Sequence, residues 1–179
     1  MIAIIGGGFI SNIHAQCYKN LGIKIEAMAD ISEKVRQEFK EKYNCKTYSS
    51  AEEMLEKGSD VLLAPGMNIH RDPLCGRNFE YFSEDPLLSG YMASAVVKGL
   101  QSKGVSACPK HFACNNQEKD RWVYNCVVND DALRNLYLTA FEILLKNAEV
   151  DCVMAAYNRI NDVYCCENSY ILQDILRKE

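Results

Sequence analysis

The chain has 179 residues, 48% of them hydrophobic and 25% charged, an ordinary globular composition and enough chain for one or two domains. Low-complexity disorder and a collagen-like repeat are excluded. Twenty Lys and Arg against 24 Asp and Glu give a net charge of −4, with no block of basic residues, so neither nucleic acid nor an anionic membrane is expected as a partner.

The first sixty residues alternate between strand and helix patterns. Ile2–Ile5 is a short apolar run ended by glycines, as a buried parallel strand should be. It lacks the positive n-region of a secretory signal, and Gly6-Gly7-Gly8 interrupts it. Phe9, Ile10, Ile13, Cys17 and Leu21 fall on one helical face, which Gly22 stops. Ile23–Ala29 reads as a second strand. Ser32 caps a charged helix to about Tyr43, and Ser50 caps a shorter one over Ala51–Lys57. This order predicts a right-handed βαβ unit in a parallel sheet. A third strand, Asp60–Ala64, follows Gly58.

The texture then changes. Residues 65–86 hold three of the four prolines and show no periodicity, which predicts a functional loop. A helix is expected over 87–103, a strand over Val105–Cys108, a polar loop over Lys110–Asp120 and an extended arm over Trp122–Val128. Asn129 or Asp130 caps a long amphipathic helix to about Asn147, with Leu133, Leu136, Tyr137, Phe141 and Leu144 as its stripe. Asp151–Ala155 is one more strand, and a helix over 168–178 follows.

The nine cysteines form no C-x-x-C pair, and several lie in apolar runs. Reduced, mostly buried thiols in a reducing compartment are expected. The three histidines, His14, His70 and His111, are scattered, so no metal site is assigned. Nothing approaches the roughly 18 apolar residues of a membrane helix. The protein is expected to be soluble and cytoplasmic.

Two constellations carry chemistry. In the first, Gly6-Gly7-Gly8-Phe9-Ile10-Ser11 follows a strand and opens a helix, and Asp30 closes the next strand. This is the layout of a dinucleotide fingerprint. Glycines allow the tight turn and a close phosphate, the helix N-terminus offers free N–H groups, and the acid accepts from a ribose hydroxyl. Ser11 stands where a third glycine is usual. The segments AIIGGGFISNIHAQCYKNLG, IEAMADIS and EKYNCKTYSSAEEMLEK resemble the start of the Gfo/Idh/MocA oxidoreductases, which have an N-terminal NAD(P)-binding Rossmann domain. The resemblance covers residues 1 to about 60. It implies Gly6, Gly8 and Phe9 at the cofactor's phosphates and Asp30 at its adenosine ribose, with an acid there leaning toward NAD over NADP. The C-T-P-N-like turn and E-K-P motif of that family are not found, so a complete dehydrogenase is not expected.

In the second constellation, polar clusters follow three predicted strands. These are His70-Arg71-Asp72 with Gly76-Arg77-Asn78-Phe79-Glu80, then Lys110-His111, then Tyr157-Asn158. Functional groups at the C-terminal ends of successive parallel strands are what a β/α barrel provides. The plain alternative is that Arg77 only pairs with Glu80 or Glu84 and that each loop charge is solvated. The segments DVLLAPGMNIHRDPLCGRNFEYFSEDPLLSGYMA, KHFACNNQEKDR and VMAAYNRIN closely resemble glycoside hydrolase family 3, the β-glucosidase family, over residues 60–179. That resemblance implies a (β/α)8 barrel. It places Arg77, Lys110, His111 and Tyr157 in the subsite for the glycone, the sugar on the non-leaving side. Asp162 stands where the family usually has glycine.

The family's aspartate nucleophile follows a further strand, past Glu179, and its general acid/base comes from a later segment. No catalytic residue is therefore assigned, and by itself this chain is not expected to hydrolyse glycosides. The combined expectation is an α/β fold with parallel strands. A Rossmann-like half-domain (residues 1–59, NAD(P) its cofactor) joins a partial barrel (residues 60–179, a small sugar or β-glucoside its ligand). An open arc of about five strands leaves an edge uncovered, so self-association is expected. The alternatives are an oxidoreductase fragment, or an inert fusion or assembly artefact.

Overall fold

The structure is a computed structural model, and it describes residues 2–5, 7–56 and 60–178. The expected joint at Gly58-Ser59 and the first glycine, Gly6, lie outside the described residues. The chain divides into two compact units, residues 1–62 with 103–105 and residues 63–102 with 106–179.

In the N-terminal unit, β1 (Ile2–Ile5), α1 (Phe9–Asn20), β2 (Ile25–Ala29), α2 (Glu33–Tyr43), β3 (Lys46–Tyr48), α3 (Ala51–Glu56) and β4 (Val61–Leu62) follow in order. β1, β2 and β3 form a parallel sheet in that order, with a register shift between Ile2 and Ala3. The strand β3 was not foreseen. Its three residues are too short for a period-2 signal, and its pairing to Ala27–Ala29 is supplied by the turn after α2. That turn is αL at Asn44 (φ 50°), a conformation Asn tolerates.

Both faces of this sheet are covered, as a parallel sheet requires. Ile4, Ile25 and Met28 pack with Phe39 and Tyr43 of α2, while Ala27 and Ala29 pack with Met54 of α3. The caps are local: Ser32 Oγ accepts from Val35 N, and Ser50 Oγ accepts from Glu53 N at 3.1 Å. Gly22 takes φ +71° beyond α1.

The C-terminal unit is mixed α/β with parallel strands. It contains α4 (Pro86–Gln101), β5 (Ser106–Ala107), β6 (Lys110–Phe112), β7 (Asn125–Cys126) and α5 (Asp130–Ala132). α5 runs through a π-helical turn, Leu133–Leu138, into α6 (Thr139–Asn147). Then come β8 (Met154–Ala155), β9 (Arg159–Ile160), β10 (Val163–Tyr164) and a last π-helical segment, Tyr170–Ile175.

Residues 64–67, β6 and β8 lie side by side. Cys108 N donates to Ala64 O, Met67 N to Lys110 O at 2.8 Å, Met154 N to Pro109 O and Ala156 N to Phe112 O. β6 pairs β8 in parallel. β6 corrects the expectation of a polar loop starting at Lys110: the polar residues begin inside the strand. β7 pairs β9 in parallel and β9 pairs β10 antiparallel, so the arm over 122–128 contributes a two-residue strand.

Asp85 caps α4 through Leu87 N, with Pro86 at the first helical position, where its missing N–H costs nothing. Asn129 Oδ1 accepts from Ala132 N at 2.8 Å to start the long helix. The core joins Met67, Ile69, Ala93, Val97, Phe112, Phe141 and Leu144, with the Phe112 and Phe141 rings edge-on at 5.1 Å. The opposite face of α4 leaves Leu87, Leu88, Tyr91 and Met92 exposed.

Candidate glycone-binding site

The loop after the first of these parallel segments folds back by short turns: Asp72 O, Cys75 O and Arg77 O each accept a backbone N–H three residues on. A short 3-10 helix, Asn78–Glu80, ends it. The loop thereby delivers Arg77, Glu80 and Tyr81 over Lys110 and His111.

Five charged side chains form a ladder. Arg121 Nη1 lies 2.7 Å from Glu118 Oε2, and Arg77 Nε lies 4.0 Å from Glu118 Oε1. Arg77 Nε also meets Glu80 Oε1, and Lys110 Nζ lies 3.3 Å from Glu80 Oε2. All five side chains are between 13% and 19% exposed. That is buried enough for the pairs to be little screened, yet open enough for their remaining N–H groups to meet a ligand. Three cations face two carboxylates, so the cluster carries a net charge of +1.

Gly66 is required beneath it. A Cβ at that position would sit 2.9 Å from Glu80 Oε2 and 3.0 Å from the Tyr81 ring.

His111 lies inside the ladder, 1% exposed. Burial first, and then the charges of Arg77, Lys110 and Arg121, lower its pKa to about 2, so the ring is neutral at physiological pH. Asn68 holds its backbone on both sides, accepting from His111 N and donating to His111 O, each at 2.9 Å. The Tyr81 hydroxyl lies 3.3 Å from His111 Nδ1 and from Asn115 O, and burial pushes that phenol up from its ordinary value.

The Tyr157 ring stands 5.9 Å from His111. Trp122 meets Tyr157 edge-on at 4.7 Å, and the Arg121 guanidinium covers both rings at 4.7 and 5.1 Å. The result is a wall with dense N–H donors on one side and aromatic rings on the other.

The four residues expected here, Arg77, Lys110, His111 and Tyr157, therefore sit in one unit and are linked by this network. Sequence reasoning passed over Asn68, Tyr81, Glu118, Arg121 and Trp122. The i, i+3 spacing of Glu118 and Arg121 inside the already singled-out segment KHFACNNQEKDR was the available signal for one pair. The pairing of Arg77 with Glu80, the plain alternative in the sequence, is present, and Glu80 also reaches Lys110, so it bridges the two cations.

In the N-terminal unit, the Asp30 carboxylate accepts Gly7 N and Ser32 N, each at 2.7 Å. Gly7 is the tightly packed glycine, since its Cβ would overlap Val35 Cγ1 at 2.0 Å, while Gly8 has open space beside it. Of Phe9, only its backbone place at the start of α1 is described. Among the described residues no three His, Cys, Asp or Glu could hold a metal ion, and no helix is long and apolar enough to cross a membrane.

Residues 27–179 match the family model described as the glycosyl hydrolase family 3 N terminal domain. The match begins inside β2 and so includes α2 and β3, which the sequence reading gave to the Rossmann half-domain. The chain is 51% identical over 128 residues to thermostable beta-glucosidase B of Acetivibrio thermocellus, covering 72% of this chain and 17% of that protein. It is 49% identical over 129 residues to the exo-alpha-(1->6)-L-arabinopyranosidase of Bifidobacterium longum, covering 72% of this chain and 17% of that protein. Among solved structures, beta-glucosidase 3B from Thermotoga neapolitana in complex with alpha-D-glucose matches with a TM-score of 0.69 at 58% identity, over 72% of this chain and 18% of that one. A GH3 beta-glucosidase from Bifidobacterium adolescentis matches with the same TM-score at 48% identity, over 73% and 19%. The chain spans less than a fifth of the length of these relatives. The match over residues 27–179 and the identity with these relatives identify the chain as a member of glycoside hydrolase family 3, within its N-terminal domain.

Proposed function

We propose that this chain supplies the sugar-holding wall of a β-glucosidase-type glycoside hydrolase, binding glucose or the sugar end of a β-glucoside without hydrolysing it by itself. The observation that carries this reading is the ladder from Arg121 through Glu118, Arg77 and Glu80 to Lys110, with His111 and Tyr157 beside it. A pyranose presents hydroxyls around an apolar ring face, and fixed donors beside aromatic rings suit both. The β-glucosidase relatives, one of them solved with glucose, support the same ligand.

A retaining mechanism needs two carboxyl groups about 5 Å apart, one attacking and one giving a proton. Glu80 has each oxygen on a cation, and Glu118 is held by Arg121 and by Asn115 Nδ2. A carboxylate with both oxygens engaged in this way is not free to attack a sugar carbon.

Trp122 is the only tryptophan, so its fluorescence reports the wall directly. Titration with glucose and with an aryl β-glucoside should change the fluorescence with no release of the aryl alcohol. Release that disappears in Lys110→Ala would overturn the non-hydrolytic reading. Silence toward both sugars, in fluorescence and in calorimetry, would overturn the binding reading.

A second reading, NAD(P) binding by the N-terminal unit, draws on the approach of Asp30 to Gly7 N. Each Asp30 oxygen keeps a further lone pair for a ribose hydroxyl. Gly8, open on one side, and the first turn of α1 at Phe9 would take phosphate. NADH titration should show saturable binding that Asp30→Ala removes; a flat titration rejects the reading. A folded chain silent toward sugar and NADH alike would be an inert fusion. The nine free thiols support a reducing compartment such as the cytoplasm. Formation of disulfides in freshly isolated protein would count against it.

A further inference from the structure

The strongest unassigned feature is the way one amide dictates the proton on one imidazole. Asn68 Oδ1 accepts from His111 N and Asn68 Nδ2 donates to His111 O, each at 2.9 Å. A flipped amide would set N–H against N–H and oxygen against oxygen, so the orientation is fixed. That same Oδ1 lies 3.2 Å from His111 Nδ1. An amide oxygen can only accept, so Nδ1 must carry the hydrogen.

Tyr81 agrees with this. Its hydroxyl is 3.3 Å from Nδ1 and 3.3 Å from Asn115 O. With Nδ1 protonated, the hydroxyl gives its hydrogen to the carbonyl, which can only accept. The opposite tautomer would set two lone pairs face to face between Asn68 and His111. Asn68, Tyr81 and His111 are 4%, 6% and 1% exposed, so bulk water does not relieve such a clash.

We propose that Asn68 is a positioning residue that fixes His111 as its Nδ1–H tautomer, leaving Nε2 as an unprotonated acceptor for a substrate hydroxyl. The charged groups around the ring are cations and their partner carboxylates, and Arg77, Lys110 and Arg121 only donate. A sugar hydroxyl both accepts and donates. Nε2 takes the hydrogen that the cations cannot. This functional half rests on the sugar-binding reading, whereas the tautomer does not.

The molecule contains its own reference. His70 Nε2 lies 3.1 Å from Asn78 O, a carbonyl, so His70 is the Nε2–H tautomer. Long-range 1H–15N correlation of the ring nitrogens reads both at neutral pH without any ligand. His14→Gln and His70→Gln assign the three histidines. His111 should show a protonated Nδ1 and a bare Nε2, with His70 reversed. Asn68→Asp gives up the bond to His111 O but keeps an acceptor at Nδ1, and should keep the hydrogen there. Asn68→Leu removes it, so the ring should move to Nε2–H with Tyr81 now donating to Nδ1. Glucose affinity should then fall about tenfold, the worth of one hydrogen bond.

A wild-type His111 carrying its proton on Nε2 overturns the proposal, and so does a folded Asn68→Leu with an unchanged ring. If Asn68→Leu does not fold, the wild-type and Asn68→Asp spectra decide. An Nδ1–H ring in a protein that binds no glucose overturns the functional half and the sugar-binding reading, and leaves the tautomer assignment standing.

Discussion

Lys110 Nζ lies 3.3 Å from Glu80 Oε2, while the other oxygen of the same carboxylate holds Arg77. Glu80 therefore keeps two cations close together against their mutual repulsion, Arg77 in the loop after residues 64–67 and Lys110 at the start of β6. Replacing it with glutamine keeps the shape and removes the charge. Arg77 is then left with Glu118 at 4.0 Å, and the next carboxylate along from Lys110 is gone. Breaking a buried pair costs about 3–5 kcal/mol. With Glu80 19% exposed, solvent screening brings the expected loss to about 1–3 kcal/mol. Glu80→Gln should lower the urea midpoint accordingly and weaken glucose binding at least tenfold by Trp122 fluorescence. Glu142→Gln, which breaks an exposed pair with Lys146, should change stability by less than about 0.5 kcal/mol. Equal effects from the two variants would show that the ladder has no special role.

The contrast between those two pairs also marks what the sequence could reveal. Helix starts were legible because a cap is a local event: Ser32, Ser50 and Asn129 each bond three residues ahead. The strand β6 was not legible, because its residues Lys110 and His111 belong to the site and break the apolar pattern of a buried strand. The site residues found were those inside runs distinctive enough to carry a resemblance. Arg77 meeting Glu118, or Asn68 clasping His111, joins residues about 40 positions apart, and no local periodicity encodes such a contact. The packing of Gly7, to which the sequence reading gave no role of its own, was hidden for the same reason: its neighbour is Val35 of α2, 28 positions away.

The buried neutral ring makes stability depend on acidity in a defined direction. His111 titrates near 6.5 when unfolded and at about 2 when folded. Between those values the unfolded chain holds a proton that the folded chain does not, so stability rises with pH and falls on acidification. The slope is about 1.4 kcal/mol per pH unit, which makes roughly 2 kcal/mol between pH 6.5 and pH 5. His111→Gln should flatten that part of the urea-midpoint profile relative to the native protein, whatever its absolute stability. In the native protein the His111 ring signals should not move between pH 8 and pH 4. Movement with a midpoint near 6.5 would mean that the ring is solvated.

Cys126 and Cys114 are both buried and free, and a hydrogen bond between them shifts their acidities in opposite directions. The hydrogen bond from Cys114 brings the Cys126 thiol down to about 7 against the opposing effect of burial, with further help from the Tyr124 hydroxyl and the Arg71 charge. The same bond pushes Cys114 up. Thiolate ultraviolet absorbance, taken as the difference from Cys126→Ser, should show a step near neutral pH. In Cys114→Ala that step should move upward, toward the ordinary value of 9.0. An unmoved step would assign the low value to the Tyr124 hydroxyl and the Arg71 charge instead, and Tyr124→Phe or Arg71→Gln would then shift it.

The last prediction sets helix propensity against packing. Gly90 lies inside α4, where alanine would ordinarily gain about 1 kcal/mol over glycine. Here a Cβ would sit 2.8 Å from Ile143 Cβ, 2.9 Å from Ile143 Cγ2 and 3.0 Å from Ala140 O. Ile143 is β-branched and stiff at χ1, and Ala140 O is backbone, so neither can give way without moving α6. Overpacking of this kind costs about 1–3 kcal/mol, which exceeds the propensity gain. Gly90→Ala should therefore lower the thermal midpoint. Gly99→Ala, in the same helix with nothing within 4 Å, should raise it. If both variants raise the midpoint, the close approach of α4 and α6 does not exist. If the Gly90 variant falls and Ile143→Ala restores it, the contact is the one described.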